Sequence, residues 1–317
     1  MNKKIVYPIL LLLELAVAEA VHFIIPDSPL HQAASTPYYA YIIALITVVY
    51  LLYAIVALLR AKKPVHPFYR APFLGGVIAF LTLLDVITVK TALLPVLYFP
   101  SLDRVFGTII EDHELIIKCV VYSLEILLSG VAGGLIIGFF MGIGVGYNKH
   151  MEYWINPLIR VLGPIPSTAW IPIVLIAFPT ARSASAFIIG LSVWFPTVVL
   201  TSSGISNVKK SYFEVGSALG TNTFWNIFKI AVPSAMPNIF LGLFNGICSS
   251  FVALMTAEMI GAKYGIGWYV NWQKEMMAYA NVYAGLIVIA VMFFIVITLL
   301  FKVREKLLVW QKGVIKW

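Results

Sequence analysis

Eight apolar runs punctuate the chain, beginning near Ile5, Tyr39, Pro72, Cys119, Ile165, Ala184, Ile239 and Val282. A helix of roughly 20 apolar residues crosses a hydrocarbon layer, so the pattern predicts an all-α, polytopic membrane bundle of about eight spans. Between the sixth and seventh runs the pattern changes to "ISNVKKSYFEVGSALGTNTFWNIFKIAVP", residues 205–233. There Ile205, Val208, Tyr212, Val215 and Leu219 recur at steps of three and four, while Lys209, Lys210, Glu214 and Ser217 fall elsewhere on the cylinder. Gly220 suits the left-handed end of a helix. Thr221 is then the expected N-cap of a second helix, striped by Phe224, Ile227, Phe228 and Ala231 and stopped or kinked by Pro233. Two short amphipathic helices with a hinge have two destinations, a headgroup layer or a groove in a soluble partner.

Glycine follows its own spacing. Gly130, Gly134, Gly138, Gly142 and Gly146 stand at intervals of four, leaving one stripe of the fourth span without side chains, and Gly242, Gly246 and Ser250 repeat the device in the seventh. Small-xxx-small stripes let another backbone approach closely, and the expected use is packing within one bundle rather than a dedicated dimer seam.

Composition fixes the solvent. Of 317 residues, 61% are hydrophobic and only 11% charged, with mean hydropathy +0.94, more apolar surface than one soluble core can bury. Placing the N-terminus inside puts 16 of the 22 Lys and Arg on cytoplasmic segments and 6 outside, which predicts N-in, C-in by the positive-inside rule. The net charge of +8 is thereby accounted for by orientation and anionic headgroups, and no basic patch with interleaved aromatics points to nucleic acid. The first run, with its basic start and small-x-small end, also has the form of a cleavable signal, although Glu14 and Glu19 interrupt it. Cys119 and Cys248 fall in spans as packing residues, and the five histidines show no metal-ligand spacing.

The basic, proline-broken "RAKKPVHPFYRAP" separates a two-helix extension, residues 1–62, from a core at 71–317 whose cytoplasmic loop is 203–235. Between Lys90 and Lys118 a segment too polar to span is expected to lie at the interface as a helix. Ionisable residues at membrane depth are costly and face protein or a water-filled cavity. Glu14, Glu19, Asp85, Glu125 and Glu258 are those cases. Asp85 and Glu125 are expected near hydrated outer ends, and Glu258, ahead of "IGAKYGIG", is the candidate polar gate. Trp170 and Trp194 stand beside Pro172 and Pro196, where broken helices border cavities, and are candidate translocation-path residues.

The loop resembles the EAA motif of binding-protein-dependent ABC importer permeases: Glu-Ala-Ala, three residues, Gly, nine residues, Ile, one residue, Leu-Pro. Glu214, Gly220, Ile230 and Pro233 match at that spacing, with Val215, Gly216 and Val232 as departures. "GPIPSTAWIPIVLIAFPT" and "AEMIGAKYGIGWYV" are similar to segments of permeases for nitrate, alkanesulfonate, taurine and related solutes. The resemblance covers residues 71–317 and implies a six-span core, so eight spans imply two extra. It implies that Tyr212, Phe213, Glu214, Ala218, Leu219, Gly220, Ile230 and Pro233 couple to a separate cytoplasmic ATPase. It also implies a second permease subunit, an extracytoplasmic solute-binding protein and a bacterial cell membrane location. No GxxxxGK[ST] phosphate loop occurs in the chain, so ATP and Mg²⁺ are expected in the partner and no cofactor or metal in this subunit. One departure concerns the solute: "SLEILLSG" places Glu125 and Ile126 where relatives often carry a basic residue, which weakens the inference of an anion. From the residues alone, a stand-alone channel or secondary carrier with an interfacial loop stays open. An intramembrane enzyme would need two carboxyl groups sharing a water, and the span positions do not supply them.

Overall fold

The computed structural model of the chain describes residues 3–29, 36–59 and 71–309. Every regular element among the described residues is helical: α1 (Lys3–Ile24), α2 (Tyr38–Leu59), α3 (Ala71–Asp85), α4 (Leu102–Glu111), α5 (His113–Tyr147), α6 (Lys149–Leu162), α7 (Ile171–Ala177), α8 (Ala181–Ser206), α9 (Lys210–Ala218), α10 (Thr223–Trp225), α11 (Val232–Gly261), α12 (Ile266–Glu275) and α13 (Tyr279–Leu307). Among those residues five helices are long and apolar enough to cross a membrane: Ala71–Lys90, His113–Tyr147, Ala181–Ser206, Thr223–Gly261 and Tyr279–Leu307. Counting the bent pair Lys149–Leu162 and Ser167–Ala177 as one span makes six there, against the eight expected.

The run beginning near Ile165 is not a straight span. Lys149–Leu162 and Ser167–Ala177 meet at 84°, because Pro164 and Pro166 lack the amides a continuous helix needs. Pro166 itself is extended, with ψ 134°, and a tight turn over Ser167–Trp170 leads into α7. Thr180 then starts α8 by accepting the Ser183 amide at 3.1 Å.

The chain forms two compact units. The larger comprises Glu114–Trp272 and Gly285 onward. In it the five α5 glycines face α8. A Cβ on Gly130 would stand 2.7 Å from the Ala186 carbonyl, on Gly138 3.0 Å from the Trp194 carbonyl, on Gly142 2.6 Å from Thr201 Cβ and on Gly146 2.7 Å from the Ser202 carbonyl, and on Gly134 it would fall on the Gly190 backbone. Gly242 and Gly246 of α11 bring a second backbone onto α8 at Pro196 and Val193. α8 is therefore gripped along two glycine seams, and Ile188, Ile189, Val193 and Val198 are buried there with Leu254 and Ala257 of α11.

The smaller unit comprises the described residues up to His113 together with Gln273–Ala284. α1 and α2 do not pair alone: Leu11, Leu15, Tyr39 and Ile43 share one core with Ala71 and Ile78 of α3, and Leu102 and Phe106 of α4 pack on it. The basic linker residues 60–70 lie outside the described residues. The segment expected at the interface is α4, begun by Ser101, whose hydroxyl accepts the Arg104 amide.

Asp85 departs from the expected hydrated position: it is buried, with Oδ2 3.2 Å from His22 Nδ1. His22 Nε2 also lies 3.8 Å from Asp103 Oδ2, so this histidine joins two acids. Lys90 completes the group by donating to Asp27 at 2.7 Å and to the His22 carbonyl at 2.5 Å. At such depth a charge persists only with partners. Asp103 further accepts the Tyr39 amide at 2.8 Å, capping α2 from another helix, and burial pushes its carboxyl above the ordinary carboxylate range.

Candidate functional site

The loop after α8 is built from local rules with two adjustments. α8 continues to Ser206, so Ile205 is buried in the bundle and is not part of the amphipathic helix expected to start there. α9 ends in a left-handed Gly220, φ +77°. The Thr221 amide returns to the Gly216 carbonyl at 3.1 Å and the Gly220 amide to Ser217 at 3.0 Å, which satisfies the terminal carbonyls of α9. The N-cap of the next helix is Asn222, accepting the Trp225 amide at 2.9 Å. Thr221, expected in that role, instead has its hydroxyl 2.7 Å from Asn226 Oδ1.

Pro233 does not stop the second helix. A wide turn over Asn226–Ala231 runs directly into α11. It takes up the irregularity that the missing proline amide would force on a uniform α-helix. Gly216 explains its departure from the alanine of the motif: a Cβ there would lie 2.8 Å from both Asn226 Oδ1 and Ile230 Cδ1.

Two faces result. Inward, Phe213 packs with Ile143, Ile205, Ala231, Ala235 and Ile239, its ring 6.0 Å from that of Tyr147. Outward, Tyr212, Val215, Phe224 and Trp225 are exposed, and Leu219 at the tip is 78% exposed. Glu214, Ala218 and Gly220 are exposed beside them, while Ile230 and Pro233 are half-buried at the base. The eight loop residues singled out from sequence thus divide into a surface and its brace. Phe224 and Trp225, omitted from that set, complete the surface.

A second feature lies where the α6–α7 bend meets α8 and α11. Trp170 and Trp194 line one cavity of about 590 Å³ together with Phe187 and Phe195, and Ser167, Thr168, Ser192 and Ser249 add hydroxyls. The Trp194 indole donates to Met141 Sδ at 3.2 Å. Gly163 is required, since a Cβ would run into the Phe195 ring. The sequence singled out both tryptophans and missed Phe187, Phe195 and Ser249, which carry no signal apart from their neighbours in space.

Glu258 does not line that cavity. It is 0% exposed, accepting the Ser123 hydroxyl at 2.6 Å and the Gly267 amide at 2.8 Å. Glu125 is half-exposed, paired with Arg182 at 2.7 Å. Among the described residues no group of three His, Cys, Asp or Glu side chains is placed to hold a metal.

Residues 134–308 match the family model of the binding-protein-dependent transport system inner membrane component. Similar curated proteins include the bicarbonate transport system permease protein CmpB of Synechococcus elongatus, 30% identical over 140 residues, 44% of this chain and 49% of that protein. The nitrate import permease protein NrtB of Synechocystis is 33% identical over 114 residues, 36% of this chain and 42% of that one. The putative aliphatic sulfonates transport permease protein SsuC of Bacillus subtilis is 28% identical over 100 residues, 32% and 36% respectively. The chain spans about half the length of the curated relatives it matches. In fold it resembles a chain of the MetNI methionine ABC transporter in inward-facing conformations, with TM-score 0.52 and 13% identity over 62% of this chain and 98% of that one.

Proposed function

The chain belongs to the family of binding-protein-dependent transport system inner membrane components, and on that premise we propose that it is the transmembrane permease subunit of an ATP-driven importer for a small solute. The observation that carries the reading is the braced apolar surface of α9 and α10. Tyr212, Val215, Leu219, Phe224 and Trp225 face away from the bundle, while Phe213 and Ile227 fasten the loop to it. An exposed apolar row held rigid from behind is suited to seat in a groove of a soluble protein. Partners of matching function are a cytoplasmic ATPase that holds ATP and Mg²⁺, a second permease subunit and an extracytoplasmic solute-binding protein. The names of the relatives, for bicarbonate, nitrate and aliphatic sulfonates, support a small solute.

The loop joins the C-terminal end of α8 to the N-terminal end of α11, the two helices that meet along Gly242 and Gly246. Displacement of α9 by a closing ATPase is passed through Phe213 to that pair, which moves as one body because glycine seams leave no side-chain layer to absorb the shift. The cavity at Trp170 and Trp194 borders both helices and lies on the translocation path. With N- and C-termini inside, the loop is cytoplasmic and the Arg182 end of α8 is outside.

The test is affinity purification of the full chain from its native membrane. A nucleotide-hydrolysing protein is expected to co-elute, and Leu219→Arg is expected to abolish its association while the amount of inserted chain stays unchanged. Association surviving that substitution would overturn the docking face. If no such protein is ever recovered, the loop rests on lipid and the chain acts as a channel or secondary carrier.

A further inference from the structure

The cavity at the α6–α7 bend carries chemistry that family membership does not specify. Its wall is aromatic on several sides, from Trp170, Phe187, Trp194 and Phe195. None of the described residues lining it is Lys, Arg, His, Asp or Glu. Hydrogen-bonding capacity is small. The Ser192 hydroxyl donates to the Ile189 carbonyl at 2.7 Å and the Trp194 indole to Met141, leaving Thr168 and Ser249 among the hydroxyl donors for a ligand.

An anion entering such a space meets no cationic side chain among the residues lining it, so the water it gives up there is not replaced by a charge partner. Arg182, at the N-terminal end of α8, does not supply the missing charge. Its guanidinium is paired with Glu125 at 2.7 Å and lies 5.7 Å over the Tyr122 ring. Flat unsaturated rings suit the wall, since indole and phenyl faces stack favourably on them. A volume of about 590 Å³ holds one ring system with substituents.

We infer that the solute accommodated at Trp170 and Trp194 is uncharged and planar, an unsaturated ring with one or two hydrogen-bonding groups, and not an anion of the bicarbonate, nitrate or sulfonate kind. This rests on the permease reading of the same cavity. It separates this chain from the cargo named for its relatives on the strength of the charge inventory of the wall.

The test uses the full chain with its associated ATPase in lipid nanodiscs, and two probes that share a ring and differ in charge. Benzamide is expected to quench tryptophan fluorescence saturably, and benzenesulfonate and nitrate to bind at least about tenfold more weakly. Trp194→Leu is expected to remove most of the benzamide response. A cation placed in the wall by Ser249→Arg, or by Thr168→Lys at the bend, is expected to reverse the order of the two ring probes. Equal or tighter binding of benzenesulfonate or nitrate by the unmodified chain overturns the inference, as does the absence of saturable benzamide binding. So does an unchanged order in both cationic variants. ATP turnover measured in the same preparation keeps the two readings apart. Intact coupling with failed probes refutes the solute class alone. Saturable benzamide binding by a chain that recruits no ATPase refutes the importer reading and leaves the cavity chemistry standing.

Discussion

Ser123 on α5 donates its hydroxyl to Glu258 on α11 at 2.6 Å, and the same oxygen accepts the Ile266 amide at 2.9 Å. Glu258 accepts in addition from Gly267, and Gly265, at φ +128°, packs its backbone where a side chain would strike the carboxyl. The acid is a fastener for the turn between α11 and α12. Glu258→Gln places an NH₂ against one of two donors and is expected to cost about 1–3 kcal/mol. Glu258→Ala, which frees both donors and opens a void, is expected to cost more. Thermal unfolding of the purified chain measures this. A gate would instead show altered transport with an unchanged midpoint.

Adjacent glycines of α5 make a matched pair. A Cβ on Gly133 meets nothing within 4 Å, whereas one on Gly134 falls on the Gly190 backbone. Gly133→Ala is expected to be neutral or to stabilise by up to about 1 kcal/mol through helix propensity. Gly134→Ala is expected to destabilise by about 1–3 kcal/mol, because backbone cannot move aside as a side-chain tip does. Equal effects in a denaturation series would show that the α5–α8 seam is not tight.

Neighbouring aromatics on α9 separate docking from bracing. Tyr212→Ala removes an exposed ring and is expected to weaken ATPase association at least about tenfold with no change in unfolding temperature. Phe213→Ala withdraws a ring from the core beneath the loop and is expected to cost about 2 kcal/mol of stability. Binding and melting curves on the two variants check the division, and similar losses of stability in both would refute it.

Asp103 supplies a pH dependence. Burial raises its carboxyl above the ordinary value of 3.8, with the Tyr39 amide and His22 opposing and Asp85 and Asp27 reinforcing the shift. A raised folded value means that the contribution of Asp103 is complete below about pH 3.8 and is lost as pH rises through the folded value. Asp103→Asn keeps an acceptor for the Tyr39 amide and cannot ionise. Its melting temperature is therefore expected to gain on the unmodified chain as pH increases from about 4 to 7. A gap that does not change with pH would remove the assignment.

Local rules written into the sequence determined the helices, the amphipathic loop, the left-handed stop at Gly220 and the presence of a bare glycine stripe, because helix bonds and caps join residues a few positions apart. The motif spacing from Glu214 to Pro233 likewise survives folding, since it is a property of one continuous segment. Tertiary structure alone decided which backbone the glycines meet, that Glu258 closes on Ser123 135 positions away, and that His22 stands between Asp85 and Asp103. It also brought Trp170 and Trp194 to one cavity and turned Phe213 inward while leaving Tyr212 outside. The physical reason is that, in a chain this apolar, hydrophobicity no longer distinguishes a face turned to lipid from one turned to protein. Close fit and partner-satisfied polar groups choose between them, and both are relations between distant parts of the chain.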